Sequence, residues 1–457
     1  MKRSSRAWRA IASCVTLAAA GVVAVVVNAP PAAAATANTL TATALSNMSL
    51  SGYQDITATR DAVENAGHPL TVVPMQTVVG GGYTTQAICH PTDVHSSTTP
   101  SGFCWNATDD TTGNWYPQGI TGSGDATGSS DLYATCPTCS GHKIVAVSWH
   151  ASSAYTEFGD NGLARVSFVD VTSSLANAFY RHVLLVEPDE SSAGYHRILN
   201  HADGIAWYGD LLFLATGGDA DDTAERSRVI RVFDLRHFWQ MSSTSSGAVG
   251  CTASTCSAAY SLFALPEVGY YQFPDGNVCT PVTGNDPCFT SVSLDRSTTP
   301  NALVTTEYYE PGAGGRILRW PLNSTSHLLQ TSADGLVHPV EGWSSPIYRM
   351  QGAVTYGSHV VIEGLCPDGE PAVSYMPGGT AAVSGGFTKS CLHKGTFDSG
   401  RSTIDLHYWT TSPGNSENLD YWPSSGQLLL VNEFKGSGGY PGDRLVLDWA
   451  CTGLTCS

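Results

Sequence analysis

The chain has 457 residues, a formal charge of −17 with only 13% charged residues, and 47 glycines beside 24 prolines. A surface this acidic repels phosphate backbones and anionic lipid, which argues against nucleic acid and membrane as partners. The same charge is accounted for by solubility alone, so it points to no activity by itself.

In chain order, Lys2, Arg3, Arg6 and Arg9 precede an apolar run from Ala10 to Val27, and the small-residue stretch "APPAAAATA" follows. This predicts a secretory signal peptide over residues 1–35, cut near Ala33 to Ala37, and a secreted, extracellular product. "IASC", ending at Cys14, resembles a lipoprotein cleavage box, but the apolar stretch lies after the cysteine, which is the wrong side for lipid anchoring. Loss of the four cations takes the charge to about −21. Residues 36–66 read as an N-terminal extension, with a helix expected within "YQDITATRDAVENAG", and residues 67–457 as the main domain. Beyond Cys14, twelve cysteines fall as near-neighbour pairs: Cys89/Cys104, Cys136/Cys139, Cys251/Cys256, Cys279/Cys288, Cys366/Cys391 and Cys451/Cys456. An even number in an exported chain predicts disulfides. "CPTC" at 136 has neither a thioredoxin-like βαβ setting nor a second CxxC, so a loop staple is favoured over a redox or zinc motif.

From residue 115 onward one pattern recurs: a polar residue, a short strand, a turn, a second apolar strand, then a third strand often opened by arginine. Copies start at "PQGIT", "ADGIAWYGDLLFLAT", "TSVSLDRSTTPNALVTTEYY", "MQGAVTYGSHVVIEG" and "ENLDYWPSSGQLLLVNEF". Their third strands are "ARVSFVDV", "VIRVFDL", "GRILRWPL", a degenerate "AVSYMP" and "DRLVLDW". Antiparallel units repeated every 60 to 90 residues or so fit the blades of a β-propeller. An all-β, disulfide-stapled, five-bladed propeller is therefore expected, with six or seven blades as the alternative. "LRHFWQM" after Asp234 is expected as a helical turn. The last copy ends without a fourth strand, and "PLTVVPMQTVV" at 69–79 is the N-terminal strand expected to close that blade, leaving no wide edge exposed.

The phrases "WYPQGIT", "RVSFVDV", "YRHVLLVEP", "HADGIAWYGDLLFLATGG", "RVFDLRHF", "RILRWPL", "MQGAV" and "ENLDYWP" together resemble uncharacterised secreted β-propeller-like proteins of filamentous actinomycetes. The resemblance covers roughly residues 115–450 and implies compartment and fold; it transfers no activity and no catalytic residues. One departure is "LATGGDADD", where such relatives are expected to carry an aspartate directly after the strand.

In an antiparallel hairpin the start of the first strand and the end of the second share one end of the sheet. In a blade that end borders the central tunnel, so residues at both places crowd one mouth. First-strand starts are Gln118, Asp203, Ser291, Gln351 and Glu417/Asn418; second-strand ends are His150, Thr216, Glu307, Glu363 and Glu433. His201 and Asp203 are then one blade's share of a polar ring. The plainer alternative is that Arg165, Arg231, Arg316 and Arg444, which open third strands, pair with neighbouring carboxylates. It serves equally well for Glu307 and Glu433, and less well for Glu363, whose repeat lacks the arginine. His150 reads as a rim hydrogen-bonding residue, Gln118 and Gln351 as satisfying backbone groups, and Asn418 as a turn residue.

Three functions can use such a mouth. Carboxylates beside Trp149, Tyr308, Tyr309 and Trp422 as stacking faces are equipment for binding a carbohydrate and for acid/base cleavage of a glycosidic bond. In a hydrolase or lyase, Asp203 or Glu363 would be the base and Glu307 the acid, with His201 orienting and Arg349 or Arg316 holding an anionic group. The same oxygens can take a calcium ion, structural or water-activating. The third reading is a non-catalytic cell-wall or protein interaction scaffold. The expected ligand is an extracellular glycan or other small molecule, and the chain a monomer. No phosphate loop, G-x-S-x-G elbow or H-E-x-x-H pair is present.

Overall fold

The computed structural model describes residues 35–90, 92, 94, 100–130, 132–133, 141–189, 194–216, 228–276, 278–280, 284–309, 315–366, 390–433 and 444–456. Residues 1–34, which hold most of the expected signal peptide, Cys136/Cys139 and "AVSYMP" lie outside them. The described strands assemble into antiparallel units of four. The first comprises Trp115–Gly122, His142–Ala151, Ala164–Asp170 and Phe179–Asp189, and the second Gly204–Tyr208, Leu211–Ala215, Arg228–Asp234 and Phe263–Gln272. Ser291–Asp295, Ala302–Thr306, Arg316–Pro321 and Glu341–Ser344 make the third; Gly352–Tyr356, His359–Leu365, Ser390–Phe397 and Thr403–Thr411 the fourth. The fifth has Ser416–Trp422, Gln427–Asn432 and Leu445–Thr452, with Ser101–Cys104 as its outer strand.

The packing follows from strand alternation, which sends successive side chains to opposite faces. Ile205 and Trp207 join the apolar layer against the first unit, while Ala206 and Tyr208 join the layer against the third. Equivalent layers lie between the third and fourth units, around Trp343 and Ile362, and between the fourth and fifth, around Leu392 and Leu430. The last layer joins the fifth unit to the first through Trp422, Val431, Val147 and Trp149, and so closes a β-propeller. With both faces covered, the strands read as near-continuous apolar runs. The inner strands also meet. A Cβ on Gly204 would stand 2.4 Å from the Val292 nitrogen, and one on Gly352 2.8 Å from the Leu419 nitrogen, so glycine is required where neighbouring backbones touch. Asn418 reaches across to the third unit, its Nδ2 donating to the Val292 carbonyl at 2.9 Å.

Several expectations need correction. The closing strand is Ser101–Cys104, paired with Leu445 to Asp448 and tethered by the Cys89–Cys104 disulfide. The 69–79 segment instead gives a short strand, Thr71–Val73, and a helix, Met75–Val79, because Pro74 has no N–H for a ladder and is suited to begin a helix. Phe238–Gln240 is a strand, not a helical turn; it pairs with Thr71–Val73 on one side and Phe263–Gln272 on the other. The third strand of the fourth unit is Ser390–Phe397. The expected helix in the N-terminal extension is present as Thr57–Asn65. That extension is built into the wheel: Ala35–Thr39 fills the gap between the outer strands of the third and fourth units. Five of the expected disulfides are formed, which suits an oxidising compartment. No helix among the described residues is long and apolar enough to cross a membrane.

Candidate active site at the mouth of the propeller

Four carboxyl groups converge where the fourth and fifth units meet the first and second. Glu363, at the end of a second strand, and Glu417, at the start of a first strand, are almost wholly buried. Burial drives the Glu417 carboxyl well above its ordinary range, reinforced by the neighbouring acids Glu433, Glu363 and Asp203 and by a hydrogen bond with the Glu433 carboxyl. Two carboxyls in such contact share a proton. Glu433 is raised by burial and held back by His201, Arg444, Gln118 and Asn415; the Gln118 Nε2 donates to its Oε1 at 3.0 Å. Glu363 is raised well above its ordinary range by burial, against hydrogen bonds from the Ser390 side chain and the Gln351 backbone. Among the described residues its buried Oε2 has no hydrogen-bond partner. Next to these acids His201 contacts Asp203, Nδ1 to Oδ1 3.1 Å, and stacks on His150 with ring centroids 4.0 Å apart. Burial, then the charge on His201, pushes the His150 imidazole well below its usual value and keeps it neutral.

A recess of about 60 Å³ opens beside Glu363 and Glu417, lined also by Tyr308, Arg349, Gln351, Ser390 and Asn415. That is room for a few waters or for the end of a ligand. Asp203, His201, Glu363, Gln351, Glu417, Glu433, Gln118, His150, Tyr308 and Arg349 are thus gathered at or beside one opening. Residues 217–227, 310–314, 367–389 and 434–443 are not among the described residues.

Other candidates are committed elsewhere. Glu307 does not serve as the acid: Arg316 donates to both of its oxygens, Nε to Oε2 at 2.5 Å and Nη2 to Oε1 at 2.7 Å, and the Cys288 N–H adds a third bond. Arg316 is spent on that pair and on the Gly284 carbonyl, and is buried, so it holds no ligand anion. Trp149 is fully buried, with the Arg165 and Arg444 guanidinium groups over its ring at 4.9 and 5.5 Å. Trp422 is equally buried and donates to Asp420. Neither offers a stacking face. Asn418 is fully buried as an inter-unit bridge and does not face a ligand. Residues missed from the sequence are Ser390, hidden because its strand was misplaced, and Asn415, whose left-handed backbone (φ 55°) in "SPGNS" is the signal that could have found it.

Chemically, buried carboxyls held neutral donate a hydrogen bond or a proton, and an ionised partner nearby accepts one. For calcium the fit is poorer. Among the described residues no three acids or imidazoles at the mouth bring ligand atoms within 4.8 Å of one another; the two groups that meet this spacing, His68/Cys251/Cys256 and Cys89/His90/Cys104, rest on disulfide-bonded cysteines.

No protein-family model and no curated protein matches the chain. Among solved structures, hydrazine synthase of Kuenenia stuttgartiensis is similar over 71% of this chain and 76% of its own (10% identity, TM-score 0.30). The WD40 repeats of RRP9 are similar over 80% and 99% (10%, 0.29). A GH43_1 enzyme from Xanthomonas citri, complexed with xylotriose, is similar over 86% and 92% (8%, 0.30). The fold assignment rests on the strand pairing above.

Proposed function

We propose that this is a secreted, five-bladed propeller, of the actinomycete kind its sequence resembles, that binds the end of an extracellular carbohydrate at the acidic mouth. The observation that carries the reading is the pair of buried carboxyls, Glu363 and Glu417, sharing a recess with Gln351, Ser390, Asn415 and Tyr308. Such a mixture of donors and acceptors suits adjacent hydroxyls, and the recess is sized for a terminal group, not a whole ring. Cleavage is the second reading, favoured by Glu363 standing at the same recess as the proton-sharing Glu417–Glu433 pair: a protonated carboxyl and a separate ionised one on either side of the bond are what general acid and base catalysis of glycosidic hydrolysis needs.

The test uses the purified mature chain on a panel of insoluble polysaccharides, scoring both retention and released reducing ends, with folding checked by Tm. Glu363→Ala is expected to lose retention. If the protein cleaves, Glu363→Gln keeps retention and loses product. Retention of Glu363→Ala equal to wild type overturns the reading and leaves the interaction scaffold.

A further inference from the structure

A second opening, of about 520 Å³, lies at the outer part of the first unit and shares no residue with the mouth recess. It is lined by Tyr83, Trp115, Tyr155, Tyr260, Arg165 and Arg181. Tyr83 and Tyr260 are half exposed (50% and 47%), although most large apolar and aromatic side chains of the protein are buried. Tyr260 is held there at a conformational cost: it and Ala259 both have positive φ, 65° and 45°, and its phenol contacts the Glu157 carboxylate at 3.2 Å.

The two arginines differ. Arg165 is engaged, 3.3 Å from Asp109 and stacked 4.1 Å over the Trp115 ring. Arg181 lies 5.6 Å over the Phe263 ring and, among the described residues, makes no ion pair; its Nε is buried with no hydrogen-bond partner. In a chain of charge −17 an uncompensated guanidinium is a local exception. Beneath it His182 bridges Ser167 (2.7 Å) and Asp109 (2.9 Å), which has the outline of a Ser-His-Asp relay. Ser167 is fully buried and faces no opening, so this chain holds His182 in place and attacks nothing.

We propose that this groove binds a carboxylated sugar chain: pyranose faces lie on Tyr83 and Tyr260, and one ring carboxylate pairs with Arg181. Tyrosine supplies a broad apolar face with a polar edge, and a guanidinium matches a planar carboxylate bidentately. The proposal is independent of the mouth.

The experiment is calorimetric titration of the mature protein with a galacturonic acid hexamer and with its fully methyl-esterified counterpart, which keeps the rings and removes the charge. The acid form is expected to bind at least tenfold more tightly than the ester. Arg181→Gln should bring the acid form to the level of the ester, Arg181→Lys should fall between, and Tyr260→Ala should weaken both. Glu363→Ala at the mouth should leave these affinities unchanged. No binding of the acid form, equal affinity in Arg181→Gln at unchanged Tm, or loss of binding in Glu363→Ala instead overturns the proposal.

Discussion

Glu417→Gln isolates the proton held at the mouth. In the folded protein burial, then the neighbouring acids, raise the Glu417 carboxyl well above its ordinary value, whereas in the unfolded chain it titrates near 4.3 or so. Between those two values the folded state binds one proton more than the unfolded state, so stability falls as pH rises. The contribution is fully present below the unfolded value and is lost as pH climbs through the folded one. The limiting slope for one such group is about 1.4 kcal/mol per pH unit. With an unfolding entropy of about 2.1 cal/mol/K per residue, that is roughly 1.5 °C in Tm per pH unit for a chain of this size. Glutamine has nearly the same shape and does not titrate. The variant should therefore show a shallower decline of stability from pH 5 upward, by up to that slope, and be the more stable protein at pH 7. Urea unfolding at pH 5, 6 and 7, with Tm measured in parallel, checks it. Parallel slopes for wild type and variant would mean that Glu417 is ionised in the folded state, and the account of a shared proton with Glu433 would fail.

Two further outcomes follow from the same structure. Asp420, buried, is pushed up to about 6 and hydrogen-bonds with Asp125, itself raised by burial and by the Asp420 charge. Because the folded value exceeds the unfolded one near 3.9 or so, wild type should lose about 3 kcal/mol relative to Asp420→Asn as pH rises from 4 through 6, measured by urea unfolding. Arg316→Met leaves the buried Glu307 carboxylate unpaired and should cost about 3–5 kcal/mol of stability while polysaccharide retention at the mouth stays at the wild-type level; a loss of retention without a loss of stability would return Arg316 to the ligand.

The repeat was legible because each hairpin carries its own local signals: a polar start and alternating or continuous apolar runs either side of a turn, as in Gly204–Tyr208 and Leu211–Ala215. The closing strand was not legible, since "SGFC" has no periodicity of its own. Its place is decided by Val446 and Leu447 some 340 residues away, which pair with Phe103 and Gly102. The apolar run at 69–79 looked better locally and lost to Pro74. The stacking role of Trp149 and Trp422 failed for a related reason: alternation says that a side chain faces one side of a blade, but not whether a neighbouring blade covers that side.

The distinction between structural and reactive carboxyls is a matter of what stands opposite on the next strand. Glu307 faces Arg316, and the two form a closed pair. At the equivalent place Glu433 faces Arg444, but this guanidinium donates to the Glu433, Asp109 and Thr112 carbonyl oxygens, leaving the Glu433 side chain to Gln118 and Glu417. Glu363 faces Leu392, an apolar core residue that offers no charge at all. Compensation therefore weakens from the third unit to the fifth and is missing in the fourth, and the recess lies at the seam between fourth and fifth. A buried carboxyl with no cation opposite must keep its proton or meet a partner from outside the protein. The geometry puts two such groups at one opening, and that coincidence is what separates this mouth from the closed Glu307–Arg316 pair of the third unit.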